Sequence, residues 1–82
     1  MKAAKLLLKA IHSPQNLRFA ELKSLAECFG YRLDRINGSH HIFIHTQAER
    51  PLNVQNAGGK AKPYQVRQFL RDIEEFHLTM KP

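Results

Sequence analysis

The chain carries one cysteine, seven acidic residues against thirteen basic ones, and no apolar run long enough to cross a membrane. Each scarcity excludes something. A lone Cys28 leaves no internal disulfide and no Cys-based zinc site. It falls in an apolar helical pattern, which predicts a buried structural thiol. Leu6-Leu7-Leu8 is too short for the apolar core of a signal peptide, and lysines interrupt its surroundings. The expectation is therefore a cytoplasmic chain without membrane association. Repeats, low-complexity segments and linkers are also missing. The 82 residues read as a single domain, 1–82, with an N-terminal helical extension over 1–15, a core over 16–78 and a loose tail over 79–82. A domain this small buries a thin core. It has no room for a large cofactor beside a substrate pocket, so any chemistry must use a few side chains and no cofactor.

What is present is positive charge. The formal net charge is +6, which favours a polyanionic partner: RNA, DNA or an acidic protein.

Residues 2–11 read as a short amphipathic helix with Ala4, Leu7, Leu8 and Ile11 packed on the domain and Lys2, Lys5 and Lys9 solvated. His12 to Asn16 is a break, with His12 on the surface. A second helix follows from about Phe19 to Phe29, burying Phe19, Leu22, Leu25, Ala26 and Phe29, and Gly30 ends it. Strands are predicted at Tyr31 to Ile36, from about Ser39 or His40 to His45, and at Arg50 to Gln55. Asn37-Gly38 supplies the hairpin signal between the first two. Asn56 to Lys62 reads as a flexible, lysine-bearing loop. Pro63 opens a last helix that runs to about His77 with Val66, Phe69, Leu70, Ile73 and Phe76 inward, while Arg71 and Glu75 pair one turn apart. The order helix, helix, three-stranded antiparallel meander, helix makes a two-layer α+β domain.

The stretch Gly38-Ser39-His40-His41-Ile42-Phe43 concentrates the chemistry. Strand alternation sends His40 and His41 to opposite faces. A strict Asn-Gly loop pairs Leu33 with Ile42 and Arg35 with His40, which leaves His40 at the rim of the core and His41 on the open face. A bulged or longer turn puts Leu33 and Phe43 on the core side and His40 on the open face. Pattern alone leaves both registers open. The ordinary reading of such histidines is as surface or half-buried hairpin residues. Metal binding is disfavoured, because His40, His41 and His45 have no cysteine nearby and adjacent strand residues diverge. The sharper reading is acid–base chemistry on RNA. Imidazole moves protons near neutral pH, and RNA carries its own nucleophile in the 2′-hydroxyl. The protein then needs to orient the backbone and stabilise the phosphorane charge. Arg35, Lys60, Lys62 and Arg67 are the candidate phosphate contacts.

Together with the preceding Leu33-Asp34-Arg35-Ile36 and the later Lys60-Ala61-Lys62-Pro63-Tyr64-Gln65-Val66-Arg67-Gln68-Phe69-Leu70, this stretch resembles the HicA (YcfA-like) toxins over about Phe19 to Leu78. Those toxins are small mRNA interferases paired with HicB antitoxins. The resemblance implies a double-stranded-RNA-binding-domain-like fold, with a three-stranded sheet and helices on one face. It also implies a metal-independent endoribonuclease acting on mRNA. The catalytic histidine would be His40, directly after Gly-Ser, or His41 one place later, either as the alternative or as a second proton-transfer group. Gly38 and Ser39 would form the turn that presents it. The implied partners are mRNA and a HicB-like antitoxin covering this surface, with the toxin a monomer alone and oligomeric only in the antitoxin complex.

Overall fold

The computed structural model describes residues 2–81. It runs α1 (Lys2–His12), a 3-10 turn (Pro14–Asn16), α2 (Phe19–Cys28), β1 (Arg32–Asn37), β2 (His40–Ile44), β3 (Leu52–Ala57), β4 (Lys60–Ala61) and α3 (Pro63–Glu75). The class is α+β. The sheet, however, has four antiparallel strands in the order β1-β2-β3-β4, where three were expected. The fourth comes from the stretch read as a flexible loop. Gly58 and Gly59 both take positive φ (63° and 88°), as the centre of a tight hairpin loop between the paired Ala57 and Lys60 requires. Asn56 Oδ1 accepts a hydrogen bond from the Gly59 amide at 2.7 Å. The far side of β4 is also satisfied: Ala61 N donates to Leu17 O at 3.1 Å, and Phe19 N donates to Gly59 O at 3.0 Å. Held on both sides, even so short a strand stays in place.

The core lies between the sheet and the three helices. Phe43 of β2 and Leu52 and Val54 of β3 meet Leu22, Leu25 and Ala26 of α2, Val66 and Phe69 of α3, and Leu6 and Ala10 of α1. The α2 stripe is buried as the spacing predicts, and Phe29 and Phe69 pack edge to face with ring centroids 5.8 Å apart. On α1 the inward face differs from the expected one. Leu6 and Ala10 are buried, Leu7 is half-buried, and Leu8 and Ile11 remain 56% and 51% exposed. Lys9, which was read as solvated, is instead paired across to α2: its Nζ reaches Glu21 at 2.9 and 3.1 Å. The Arg18 amide and the Lys9 ammonium hold the Glu21 carboxyl below its ordinary pKa.

Helix α3 closes the edge of β3. Gln65 Oε1 accepts the Gln55 amide at 2.7 Å, a backbone donor that β4 leaves unpaired. At the other end Arg50 Nη2 bonds Asp72 Oδ1 at 2.6 Å and Glu75 Oε1 at 2.8 Å, with its guanidinium 4.9 Å over the Phe76 ring. The expected Arg71–Glu75 pair is thus replaced: Arg50 takes Glu75, and Arg71 Nη2 bonds Gln68 Oε1 at 3.0 Å. Glu75's carboxyl is held low by the Arg50 hydrogen bond, and Arg50 is held above its usual value by Glu75 and Asp72.

Chain ends and turns are tied more firmly than composition suggests. Lys81 N donates to Cys28 O at 2.8 Å and Leu78 is buried, so residues 79–81, read as loose, run back against α2. Met1 and Pro82 lie outside the described residues. Cys28 is half-buried, where full burial was expected. Gly30 sits at φ +94°, and a Cβ there would meet His45 Nε2 at 2.8 Å. That approach lets His45 Nε2 donate to Phe29 O at 2.8 Å while Nδ1 accepts the Gln47 amide at 2.9 Å.

Tyr31 is buried, and its hydroxyl has no hydrogen-bond partner among the described residues. Burial, reinforced by the nearby Asp72 charge and opposed by Arg50, pushes its pKa up to about 12. A phenol whose pKa is raised in the fold contributes stability below pH 10. That contribution is lost as pH rises from 10 through about 12, because the unfolded chain ionises first. Tyr31→Phe should therefore flatten the alkaline limb of the stability profile. At neutral pH it should cost little, since it removes an unpaired buried hydroxyl. Thermal melts of both proteins on either side of pH 10 check this.

Candidate active site

The site begins in the β1–β2 hairpin. Asn37 pairs with His40, so the loop residues are Gly38 and Ser39. Gly38 has φ +63° and Ser39 does not enter positive φ, the pattern of a type II′ loop with glycine first. The strict Asn-Gly register is therefore not adopted. An irregularity between Leu33 and Arg35 lets Leu33 pair with Phe43 and Arg35 with Ile42. This is the bulged alternative, with the extra residue at Asp34 and not in the turn. Phe43 consequently faces the helices and His40 takes the open face.

The two adjacent imidazoles are separated by this alternation. The His41 ring lies 4.6 Å from that of Phe19 at the start of α2, and its Nδ1 donates to Ser39 O at 3.3 Å. It packs between sheet and helix. His40 Nδ1 lies 3.1 Å from Asn53 Oδ1. Because the Asn53 carbonyl oxygen only accepts, Nδ1 carries the proton and Nε2 is left as the basic nitrogen. Nε2 has no partner among the described residues. His45 is committed to Phe29 O and Gln47 N.

His40 and Asn53 line a groove of about 670 Å³ between the open face of the sheet and α3, opposite Tyr64, Arg67 and Arg71. Arg50 also borders it but is neutralised by Asp72 and Glu75. Arg67 and Arg71 are exposed, and among the described residues neither is ion-paired. The groove therefore offers an oriented imidazole facing two guanidiniums that have no carboxylate partner among the described residues. That suits an anionic ligand with a transferable proton.

The sequence-predicted contacts are only partly gathered here. Arg67 lines the groove. Arg35 lies in an adjoining cleft of about 240 Å³ that shares Arg50 and Pro51 with the groove, and it is paired with Asp34 at 2.6 Å. Lys60, exposed on β4, and Lys62, the half-buried N-cap of α3, are not among the groove's lining residues. Asn53, Tyr64 and Arg71 were missed as site residues. Asn53 lies diagonally across from His40 on β3, a relation visible only once the register is known. Tyr64 and Arg71 share the face of α3 opposite its apolar stripe, so helical spacing from Arg67 would have found them.

The groove lies almost wholly within one matched segment. The family model for the HicA toxin of bacterial toxin–antitoxin systems matches residues 19–74. The chain belongs to the HicA toxin family. Searches of curated proteins and of solved structures return no significant match. Membership in the HicA family assigns the chain to a toxin–antitoxin system and implies a cognate antitoxin as partner. The matched residues run from the first residue of α2 to within one residue of the end of α3, so α1 lies ahead of the HicA segment. No helix among the described residues is long and apolar enough to cross a membrane.

Proposed function

We propose that this HicA-family toxin is a metal-independent endoribonuclease that cleaves mRNA in the groove between the open sheet face and α3. The observation that carries this reading is His40: its Nδ1 is engaged by Asn53 Oδ1, and its free nitrogen shares a groove with Arg67 and Arg71. His40 Nε2 takes the proton of a ribose 2′-hydroxyl. The 2′-oxygen attacks the adjacent phosphorus, the bond from phosphorus to the 5′-oxygen breaks, and that oxygen takes a proton from water. The products end in a 2′,3′-cyclic phosphate and a 5′-hydroxyl. Arg67 and Arg71 stabilise the charge on the phosphorane oxygens. Water is assigned as the second proton donor because His41 and His45 are each engaged elsewhere. Gly38 and Ser39 shape the turn that sets His40 at the start of β2. Arg35, Lys60 and Lys62 would hold more distant phosphates.

In this reading β1, β2 and β3 with α2 and α3 form a double-stranded-RNA-binding-domain-like core, elaborated by α1 and β4. The toxin works in the cytoplasm as a monomer and becomes oligomeric only with its antitoxin. A HicB-like antitoxin inhibits it by laying an acidic surface over the groove, where Arg67 and Arg71 lack carboxylate partners.

Induced expression tests the proposal, with growth and total mRNA followed for the parent, His40→Ala and His41→Ala. The expected result is arrest with mRNA loss for the parent and for any folded His41→Ala protein, and neither for His40→Ala. Arrest with intact mRNA would point to a target other than RNA.

A further inference from the structure

Tyr64 has no part in the chemistry above, yet it stands in the same groove. It is the first residue after the proline that opens α3, and it is 57% exposed. Its hydroxyl has one partner, Gln65 Nε2 at 3.5 Å, so packing accounts for little of its placement. A single exposed aromatic is ordinary by itself. What sets Tyr64 apart is its place in the groove beside two arginines. Along the same helix face come Arg67 and Arg71, one and two turns further on. The two arginines are separated by about 6 Å of helix rise, comparable to one nucleotide step of an extended strand. His40 and Asn53 form the opposite wall.

We propose that Tyr64 is a base-stacking platform that makes the groove a subsite for unpaired, single-stranded RNA. One base beside the scissile phosphate unstacks from its neighbours and lies on the Tyr64 ring, while successive phosphates follow Arg67 and Arg71 along α3. The inference rests on the ribonuclease reading for the word scissile, but the binding it describes does not need cleavage. Every base has a π-face, so the platform tolerates many sequences and selects against structure instead. A base held in a duplex stack has both faces covered and cannot reach the ring. The groove is thereby directed to the single-stranded regions of an RNA.

The test uses full-length protein carrying His40→Ala, so that affinity can be read without cleavage. The probe is a short fluorescein-labelled single-stranded RNA and the same sequence annealed as a duplex. Adding Tyr64→Ala should weaken single-strand binding roughly 5- to 150-fold without changing the slope of log affinity against log salt. Arg67→Ala and Arg71→Ala should each reduce that slope, by about 0.7 for a single phosphate contact. Tyr64→Phe, which keeps the ring, should restore most of the affinity lost with alanine. Duplex should bind more weakly than single strand and be indifferent to Tyr64→Ala. Equal affinity of the Tyr64→Ala and Tyr64 proteins for single strand would overturn the proposal. So would failure of phenylalanine to rescue, which would make the hydroxyl the functional group, or a preference for duplex. Absence of cleavage by the parent protein would instead count against the ribonuclease reading and leave this binding result standing.

Discussion

Replacing His40 with alanine is expected to lower RNA cleavage by about 10²–10⁴-fold, the usual contribution of a positioned acid–base group. The fold should survive. His40 is half-buried, and the Asn53 contact is its one side-chain hydrogen bond among the described residues. Loss of one such bond should change stability by about 1 kcal/mol at most. RNA binding should persist, because Arg67, Arg71 and Tyr64 are untouched. Asn53→Ala is the informative companion. It leaves the imidazole in place but releases Nδ1, so the ring can take the wrong tautomer or turn away from the groove. Its cost should fall on kcat more than on KM, and should be smaller than that of His40→Ala. Single-turnover cleavage of a labelled RNA, with thermal melts beside it, measures all of these.

Phe43→Ala should cost the fold about 3–5 kcal/mol, the range for emptying a fully buried aromatic site. Phe43 is completely buried on β2 and faces Leu52 of β3 and the helix layer. A domain of this size has a total stability on the order of 5–15 kcal/mol, so the variant stands near the edge of folding. The melting temperature should fall by roughly 12 °C or more. The effect bears on function because β2 carries both the core anchor and the site histidine. Phe43 fixes which face of β2 is inward, and with it which imidazole reaches the groove. A shift of one residue in the β1–β2 register would bring His41 to the open face and bury His40. Chemical denaturation of Phe43→Ala beside the parent checks the stability loss.

The helices were legible in the sequence because their apolar spacing is regular. The α2 stripe from Phe19 to Phe29 is buried residue for residue, and Pro63 marks the start of α3. On α1 the spacing pointed to Ala4, Leu7, Leu8 and Ile11, but with apolar residues at 6, 7, 8, 10 and 11 several faces were available, and the tertiary packing buried Leu6 and Ala10. The sheet was less legible for a definite reason. The Asn37-Gly38 pair has the composition of a tight turn, but the loop formed at Gly38-Ser39 and the slack was taken up at Asp34. Nothing local to Asp34 announces a bulge. The Gly58-Gly59 pair was read for its flexibility, when two adjacent positive-φ residues equally specify a hairpin.

The candidate site divides the same way. The Gly-Ser-His stretch stood out, and alternation alone put His40 and His41 on opposite faces, but which of them takes the open face depended on register and so on the three-dimensional pairing. Asn53 was invisible because it meets His40 from a strand thirteen residues away. Lys60 and Lys62 stood out by charge, yet β4 and the start of α3 keep them off the groove wall, where Arg71 stands instead.

The most direct test of the central claim is to identify the ends left on RNA by the purified toxin in the presence of excess EDTA, by mass spectrometry of a defined oligonucleotide. In-line attack by the ribose 2′-hydroxyl with His40 as base predicts cleavage that resists the chelator and leaves 2′,3′-cyclic phosphate and 5′-hydroxyl ends, with none from His40→Ala. Ends bearing a 5′-phosphate and a free 3′-hydroxyl, or cleavage abolished by EDTA, would contradict the account, because water activated by a metal would then be the nucleophile.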